Sequence, residues 1–434
     1  MQYLPQLLFI LAAGFAGYWF TRRAGVIRSL ILLGQPSLPN DQPAKRWENL
    51  ILLALGQKKM FRNVPVAIMH LIIYAGFIII NLEVAEIVLD GITGHHRLFL
   101  PLLGNVYNWL INCFEILAAG VLLVCVVFLI RRNVTKVKRL IQGDLQGWPA
   151  SDANYILLAE IILMSLFLTM NAADQLLQPG NPHYPSTGNF WVSQYLKPLL
   201  SGGNETSWLL IERTCWWLHI LGIFAFLNYL PYSKHLHIIL AFPNAYYSPL
   251  TSSGKFTNME AVQQEVLYAM QPELAPSNAA PPEHFGAKDI PALSQKSLLD
   301  AFSCTECGRC TAACPANLTG KKLSPRKIMM ATRDRMEEMG KQLSKTGEWT
   351  PDGKSLLHDY ISVEELRACT TCMACVEECP VSISPLNIIT ELRRSLIMEE
   401  SNAPQEWNST FSNIENNFAP WKFSPDTRDN WING

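Results

Sequence analysis

Eight of the eleven cysteines fall in two runs of one form, C-x2-C-x2-C-x3-C-P. Cys304, Cys307, Cys310 and Cys314 lead to Pro315, and Cys369, Cys372, Cys375 and Cys379 lead to Pro380. Thiolates are soft ligands, and this is the spacing that serves paired [4Fe-4S] clusters. Three close cysteines can wrap one corner of a cubane, while the fourth, beyond a longer gap and turned by the proline, reaches the other cluster. The expected ligand sets are therefore crossed: Cys304, Cys307, Cys310 and Cys379 for one cluster, and Cys369, Cys372, Cys375 and Cys314 for the other. Structural zinc also takes four thiolates, but its sites pair two C-x2-C knuckles rather than two triplet-plus-one runs.

Of nine histidines, His70, His219, His235 and His237 lie in or beside apolar stretches. An imidazole in such a stretch is more often a packed polar group than a metal ligand, so spacing has to decide. His219 and His237 are 18 residues apart, which on one continuous helix is five turns, a shared face and roughly 27 Å of rise. His235 falls on nearly the opposite face and is the weaker candidate, and Pro231 could kink the helix. Two imidazoles on one face, near opposite halves of a bilayer, suit b haems that each take a second histidine from a neighbouring helix. His70 is the expected partner of His237, with a His70 to His219 pairing left open.

Five apolar segments could carry these groups: Tyr3 to Phe20, Val64 to Leu89, Val106 to Ile130, Ala153 to Met170 and Trp208 to Leu230. Each approaches the roughly 20 residues that cross a bilayer core. In the first, Arg22 and Arg23 follow the apolar run, the reverse of a secretion signal, so an uncleaved span is expected. Lys and Arg crowd the connections from Thr21 to Asn63 and from Arg131 to Asp152, while the other two carry only Arg97 and Lys197. The positive-inside rule then puts the N-terminus outside and everything after Leu230 in the cytoplasm. Cytosolic thiols are kept reduced, which turns a dense cysteine pattern toward metal and away from disulfides. Cys113, Cys125 and Cys215 lie in apolar spans without shared spacing and read as buried hydrophobes.

The chain has 434 residues, 49% of them hydrophobic and 16% charged, with a net charge of −1. No basic, aromatic-interleaved block offers itself to nucleic acid. The expected organisation is all-α: a membrane domain over 1–245, a mostly extended Pro-rich linker over 246–296, a two-cluster domain over 297–400 and an extended aromatic tail over 401–434. Ser324 and Pro325 open a helical pattern between the cysteine runs, and Pro385 to Glu400 repeats it. An α-helical ferredoxin domain is expected, with SLLDAF (Ser297 to Phe302) as its lead-in helix. The tail, with three tryptophans after residue 406 and few aliphatic residues, is a candidate dock for a partner; folding back over the cluster domain is the alternative. Glu83, Glu86, Glu115, Glu160 and Glu212 lie inside spans, where a carboxyl must face the bundle or water.

The run WWLHILGIFAFLNYLPYSKHLHIILAFPN, Trp216 to Asn244, resembles the fifth helix of the nitrate reductase gamma subunit family, di-haem b quinol cytochromes. That resemblance places haem ligands at His219 and His237. The family's second helix carries two histidines ten residues apart; His70 matches the first, but Ile80 stands at the second. One b haem is implied, and a second would need His95 or His96 from the outer connection as partner to His219. The cysteine region, LLDAFSCTECGRCTAACPANLTGKKLSP and ACTTCMACVEECPVSISPLNIITELRRSLIMEES, resembles membrane Fe-S oxidoreductases related to heterodisulfide reductase. These include electron-transfer-flavoprotein:menaquinone oxidoreductases, in which the cytochrome-like part also comes first. The longer members continue into a second cysteine-rich module, expected here as a separate subunit.

Together these readings describe an electron-transfer subunit of a bacterial inner membrane. It would link a cytoplasmic redox partner, either an electron-transfer flavoprotein or a second Fe-S subunit, to menaquinone or another quinone through two [4Fe-4S] clusters and haem b. The alternatives are quinol-driven reduction of a heterodisulfide-type acceptor and a haem-free anchor or scaffold.

Overall fold

A computed structural model of the chain describes residues 3–251, 258–276 and 284–432. Five helices are long and apolar enough to cross a membrane: α1 (Leu4–Leu32), α2 (Val64–Thr93), α3 (Asn105–Asn133), α4 (Trp148–Leu177) and α5 (Glu205–Tyr229). Local chemistry sets their starts. The side chain of Asn63 accepts from Val66 N ahead of α2, and that of Asn204 from Ser207 N ahead of α5, each meeting a backbone donor that the helix leaves unpaired. Each helix packs on the next and α1 closes the ring against α5. Phe9, Ile80, Tyr107, Phe114, Phe167 and Trp216 form part of the buried core, while Leu7, Leu11, Phe15 and Leu123 face outward, as lipid would require.

α1 runs twelve residues past the expected end of the first span at Phe20, to Leu32. At 1.5 Å per residue its 29 residues reach about 44 Å, well beyond a hydrocarbon core of about 30 Å. The excess is a strut: Ile27 and Leu30 are buried in the core of the C-terminal domain beside Leu298, Met336 and Met339. Fully burying a leucine is worth roughly 1.5–3 kcal/mol, so this is a real attachment between the two halves.

α5 does not continue to His237. Proline lacks an N–H and its ring obstructs the preceding turn, and the chain around Pro231 drops into a 3-10 turn at Leu230–Tyr232, then extends at Ser233 (φ −118°, ψ 152°). A new helix, α6 (His237–Tyr246), begins at the histidine itself. The shared face and the 27 Å rise expected for His219 and His237 therefore do not exist.

Composition favoured an extended linker, but α7 (Glu260–Met270) lies within it, and of its Pro-rich part residues 277–283, like 252–257, lie outside the described residues. Ala287, Ile290 and Leu293, expected in that linker, are buried in the cluster-domain core. That domain is built on α8 (Gln295–Ser303), α9 (Pro325–Thr346), α10 (Val363–Ala368) and α11 (Pro385–Arg394). Ser294, Ser324, Ser362 and Ser384 cap these four helices with their hydroxyls. The tail is not extended either: Gln405–Asn417 forms α12, with no buried residue. No strand occurs among the described residues.

Candidate metal centres and their route to the bundle

The cysteine runs fold as twin loops. α8 ends at Cys304 and α10 at Cys369, each with nearly the same backbone (φ −68°, ψ 121° and φ −71°, ψ 126°). Two and four residues later both loops turn left-handed, at Glu306 (54°) and Gly308 (75°) in the first and at Thr371 (55°) and Met373 (64°) in the second. Turns of this kind gather backbone N–H groups around a concavity that suits anionic sulfur. Thr371 N–H points to Cys369 Sγ at 3.4 Å and Ile383 N–H to Cys379 Sγ at 3.3 Å.

Two hollows lie between the loops and the starts of α9 and α11. One is lined by Cys304, Cys307, Cys310 and Cys379. The other is lined by Cys314, Cys369, Cys372 and Cys375; Cys375 borders both. Among the described residues no three His, Cys, Asp or Glu side chains converge on a point that would hold one ion. A [4Fe-4S] cluster takes four thiolates, and the four cysteines of each expected set border one hollow. Burial pushes the thiols of Cys304, Cys375 and Cys379 up to about 12. Capture of metal must therefore displace their protons. Cys372 is exposed, which gives the second hollow an open side.

The candidate haem imidazoles share one feature. His70 Nδ1 lies 3.0 Å from Gln57 Oε1, His219 Nδ1 3.0 Å from Leu163 O, and His237 Nδ1 3.0 Å from Lys234 O. An Nδ1–H given to an oxygen leaves Nε2 with its lone pair free, the arrangement that fixes a ligating histidine. His70 lies within electrostatic reach of His237 and Arg309. His235, the weaker candidate, packs its ring against that of His237 at 5.4 Å. Burial lowers both imidazoles, and with the nearby His237 and His70 it takes His235 down to about 3, so they are neutral as a ligand must be. His219 instead sits against Phe167. His96, considered as its partner, gives its Nε2 to Asp174 at 2.8 Å at the other end of the bundle.

Charged side chains tie the first hollow to the histidines. Glu306, between Cys304 and Cys307, binds Lys234 and Arg333, and the carbonyl of Lys234 accepts from His237. Burial works to raise the Glu306 carboxyl, but Arg333 and Lys234 outweigh it and hold it below the usual range. Arg326, fully buried at the same hollow, donates to Asp144 Oδ2, Arg139 O and Gln142 Oε1 in the α3–α4 connection. Arg309 donates to Lys59 O, and Asn244 in α6 to Val381 O beside Cys379. Both Lys/Arg-rich connections thus lie on the cluster-domain side. Glu306, Lys234 and Arg333 carry no spacing signal; only the fold brings residues 72 and 27 positions apart together.

The fold and loops define a helical bundle fit to span a membrane, joined to an iron–sulfur domain, and the chain is related to iron–sulfur oxidoreductases. Residues 303–383 match the family model of the 4Fe-4S dicluster domain. The chain is 27% identical to the iron-sulfur-binding oxidoreductase FadF of Bacillus subtilis, over 98% of this chain and 60% of that protein. It is 26% identical to the EtfAB:quinone oxidoreductase of Syntrophomonas wolfei, over 91% of this chain and 54% of that one. A quarter of the chain, 25%, is 33% identical to one polypeptide of the ferredoxin/F(420)H(2)-dependent CoB-CoM heterodisulfide reductase of Methanosarcina acetivorans, covering 53% of that polypeptide. The chain thus spans little more than half the length of the relatives it matches. No solved structure matches it.

Proposed function

We propose that the protein passes electrons between a cytoplasmic redox partner and membrane quinone. Cys304, Cys307, Cys310 and Cys379 would hold one [4Fe-4S] cluster, Cys369, Cys372, Cys375 and Cys314 the other, and His70 and His237 one b haem. Clusters and haem supply one-electron carriers; the chain supplies their placement, their surroundings and the partner's access. The observation that carries this reading is the bridge from the first hollow through Glu306 and Lys234 to His237. It supports an order of the sites in which the hollow with exposed Cys372 would face the partner and the one at Glu306 the bundle. Ile80, at the place where the resembled cytochromes carry their second histidine, favours one haem. The cluster domain and both basic connections would be cytoplasmic, with the N-terminus outside a bacterial inner membrane. The names of the relatives favour an electron-transfer flavoprotein, or a further Fe-S subunit, as partner. The same wiring serves the reverse flow, from quinol to a heterodisulfide-type acceptor.

The test is EPR and optical spectroscopy of the purified full chain, first oxidised and then titrated with a menaquinol analogue. Two interacting [4Fe-4S] signals with a b-type band are expected. His70→Ala should abolish the band and spare the cluster signals. Clusters without any haem band would overturn the wire and leave an anchor.

A further inference from the structure

At the end of the bundle remote from the cluster domain lie six carboxyls that are each at most 8% exposed: Glu83, Glu86, Asp90, Glu115, Asp174 and Glu212. Five have donors. Arg97 reaches Asp174 at 3.0 and 3.1 Å, and Tyr107 OH donates to Glu86 at 2.7 Å. Asp90 accepts from the N–H of Arg97 and Leu98, Glu115 from Asn171, Val192 and Ser193, and Glu212 from Tyr184 and Arg213. Glu83 differs: its buried Oε2 has no partner among the described residues. A buried carboxylate needs a cation or a proton, and the guanidinium groups that meet this set are those of Arg97 and Arg213.

The contacts run inward as far as Glu86, one helical turn short of Glu83. His183 is exposed at the rim with its ring tilted 5.8 Å from that of His96, which meets Asp174 at 2.8 Å. Asp174 holds Arg97, Arg97 Nη1 lies 3.3 Å from Tyr107 OH, and Tyr107 donates to Glu86. Glu83, Glu86 and Asp90 are spaced i, i+3, i+7, one face of α2. Glu83 is the innermost, roughly 10 Å deeper than Asp90. The charges that bear on it come from Glu86 on α2, Arg97 in the following loop, Glu115 on α3 and Asp174 on α4. A cluster that only held helices together would gain by satisfying Glu83 or replacing it, since an unpaired buried oxygen costs about 1–3 kcal/mol.

We infer that these groups line a proton-access path from the surface remote from the cluster domain to Glu83, which exchanges a proton with the interior of the bundle; Arg97, a fixed cation, orients Asp174 and Tyr107 and does not itself relay the proton, and water bridges the steps that no side-chain contact spans. What takes the proton rests on the proposed function: quinone plus two electrons and two protons gives quinol, so a quinone reduced near the bundle centre needs such a supply, and quinol oxidation needs it as an exit. The path itself is testable without any quinone. Infrared difference spectra of the full chain in nanodiscs should show a protonated carboxyl C=O band that shifts in D2O. Glu83→Gln should remove that band with cluster signals unchanged, and Glu83→Asp should keep it at a shifted frequency. Tyr107→Phe should leave the band but slow its exchange about tenfold or more, a barrier increase of about 1.4 kcal/mol. A band that survives Glu83→Gln, or exchange equally fast in Tyr107→Phe, would overturn the path. Failure of quinone reduction with the path intact would count against the proposed function alone.

Discussion

Gly308 and Met373 occupy the same place in the two cysteine loops, both left-handed, yet they answer to different surroundings. A Cβ on Gly308 would lie 2.5 Å from Arg326 Nη1 and 2.8 Å from the carbonyl of Arg139, so the first loop needs glycine both for its φ and for the close approach of the α3–α4 connection. Met373 borders the hollow that has the exposed cysteine and tolerates φ 64°. Left-handed backbone costs a non-glycine residue roughly 1–2 kcal/mol. Gly308→Ala is therefore expected to lower the unfolding midpoint and weaken the cluster signal assigned to Cys304, Cys307, Cys310 and Cys379. Met373→Gly should be neutral or stabilising by up to about 1 kcal/mol. Paired thermal unfolding and EPR measurements check both; equal effects at the two positions would show that the loops are interchangeable. The cysteine pattern was legible because three of the four ligands proposed for each cluster sit close in sequence. Glu306 and Lys234 were not, because an ion pair between residues this far apart leaves no periodic trace.

Among the elements, the five apolar helices could be read from length alone, since the bilayer imposes it, but their ends could not. α1 outruns its apolar segment because its last turns are buried by another domain rather than by lipid, with Arg23 held by Glu337 of α9. Pro231 was visible, but whether a proline kinks or ends a helix depends on what receives the next segment, here the packing of α6 against α8. The tail shows the converse. Trp407, Phe411 and Ile414 lie at i, i+4, i+7 on α12 and all are exposed, so an amphipathic helix is present without the surface it was patterned for. That disfavours folding back over the cluster domain and supports a docking role. Deleting residues 405–434 should leave cluster spectra and unfolding unchanged, because nothing in α12 is buried. It should also abolish co-purification with the native redox partner from the host membrane; retained partner would assign docking to another surface.

For the whole molecule, the decisive feature is the junction where the cluster domain meets the bundle. It combines the apolar strut of α1 with buried charge, Arg326 with Asp144 and Lys234 with Glu306, which Arg333 also holds, and adds a half-exposed pairing of Arg62 with Glu377 and Glu378. Removing one partner of a buried pair costs about 3–5 kcal/mol when the other is left uncompensated. Glu306 is engaged twice, however, so Lys234→Met leaves it on Arg333. The backbone carbonyl of Lys234 also remains to fix the His237 tautomer. The variant should thus keep the two proposed clusters and the proposed haem while losing the side-chain link between them. If the link is the route, flash-initiated reduction of the clusters should be followed by slower haem reduction in Lys234→Met than in the parent chain, with unaltered spectra at equilibrium. Arg62→Ala offers the control, since it loosens a half-exposed pair at the same junction without touching the Glu306 bridge. It should leave the rate near that of the parent. Slowing of the same size in both variants would mean that general docking of the two domains, rather than the Glu306–Lys234 contact, governs the transfer.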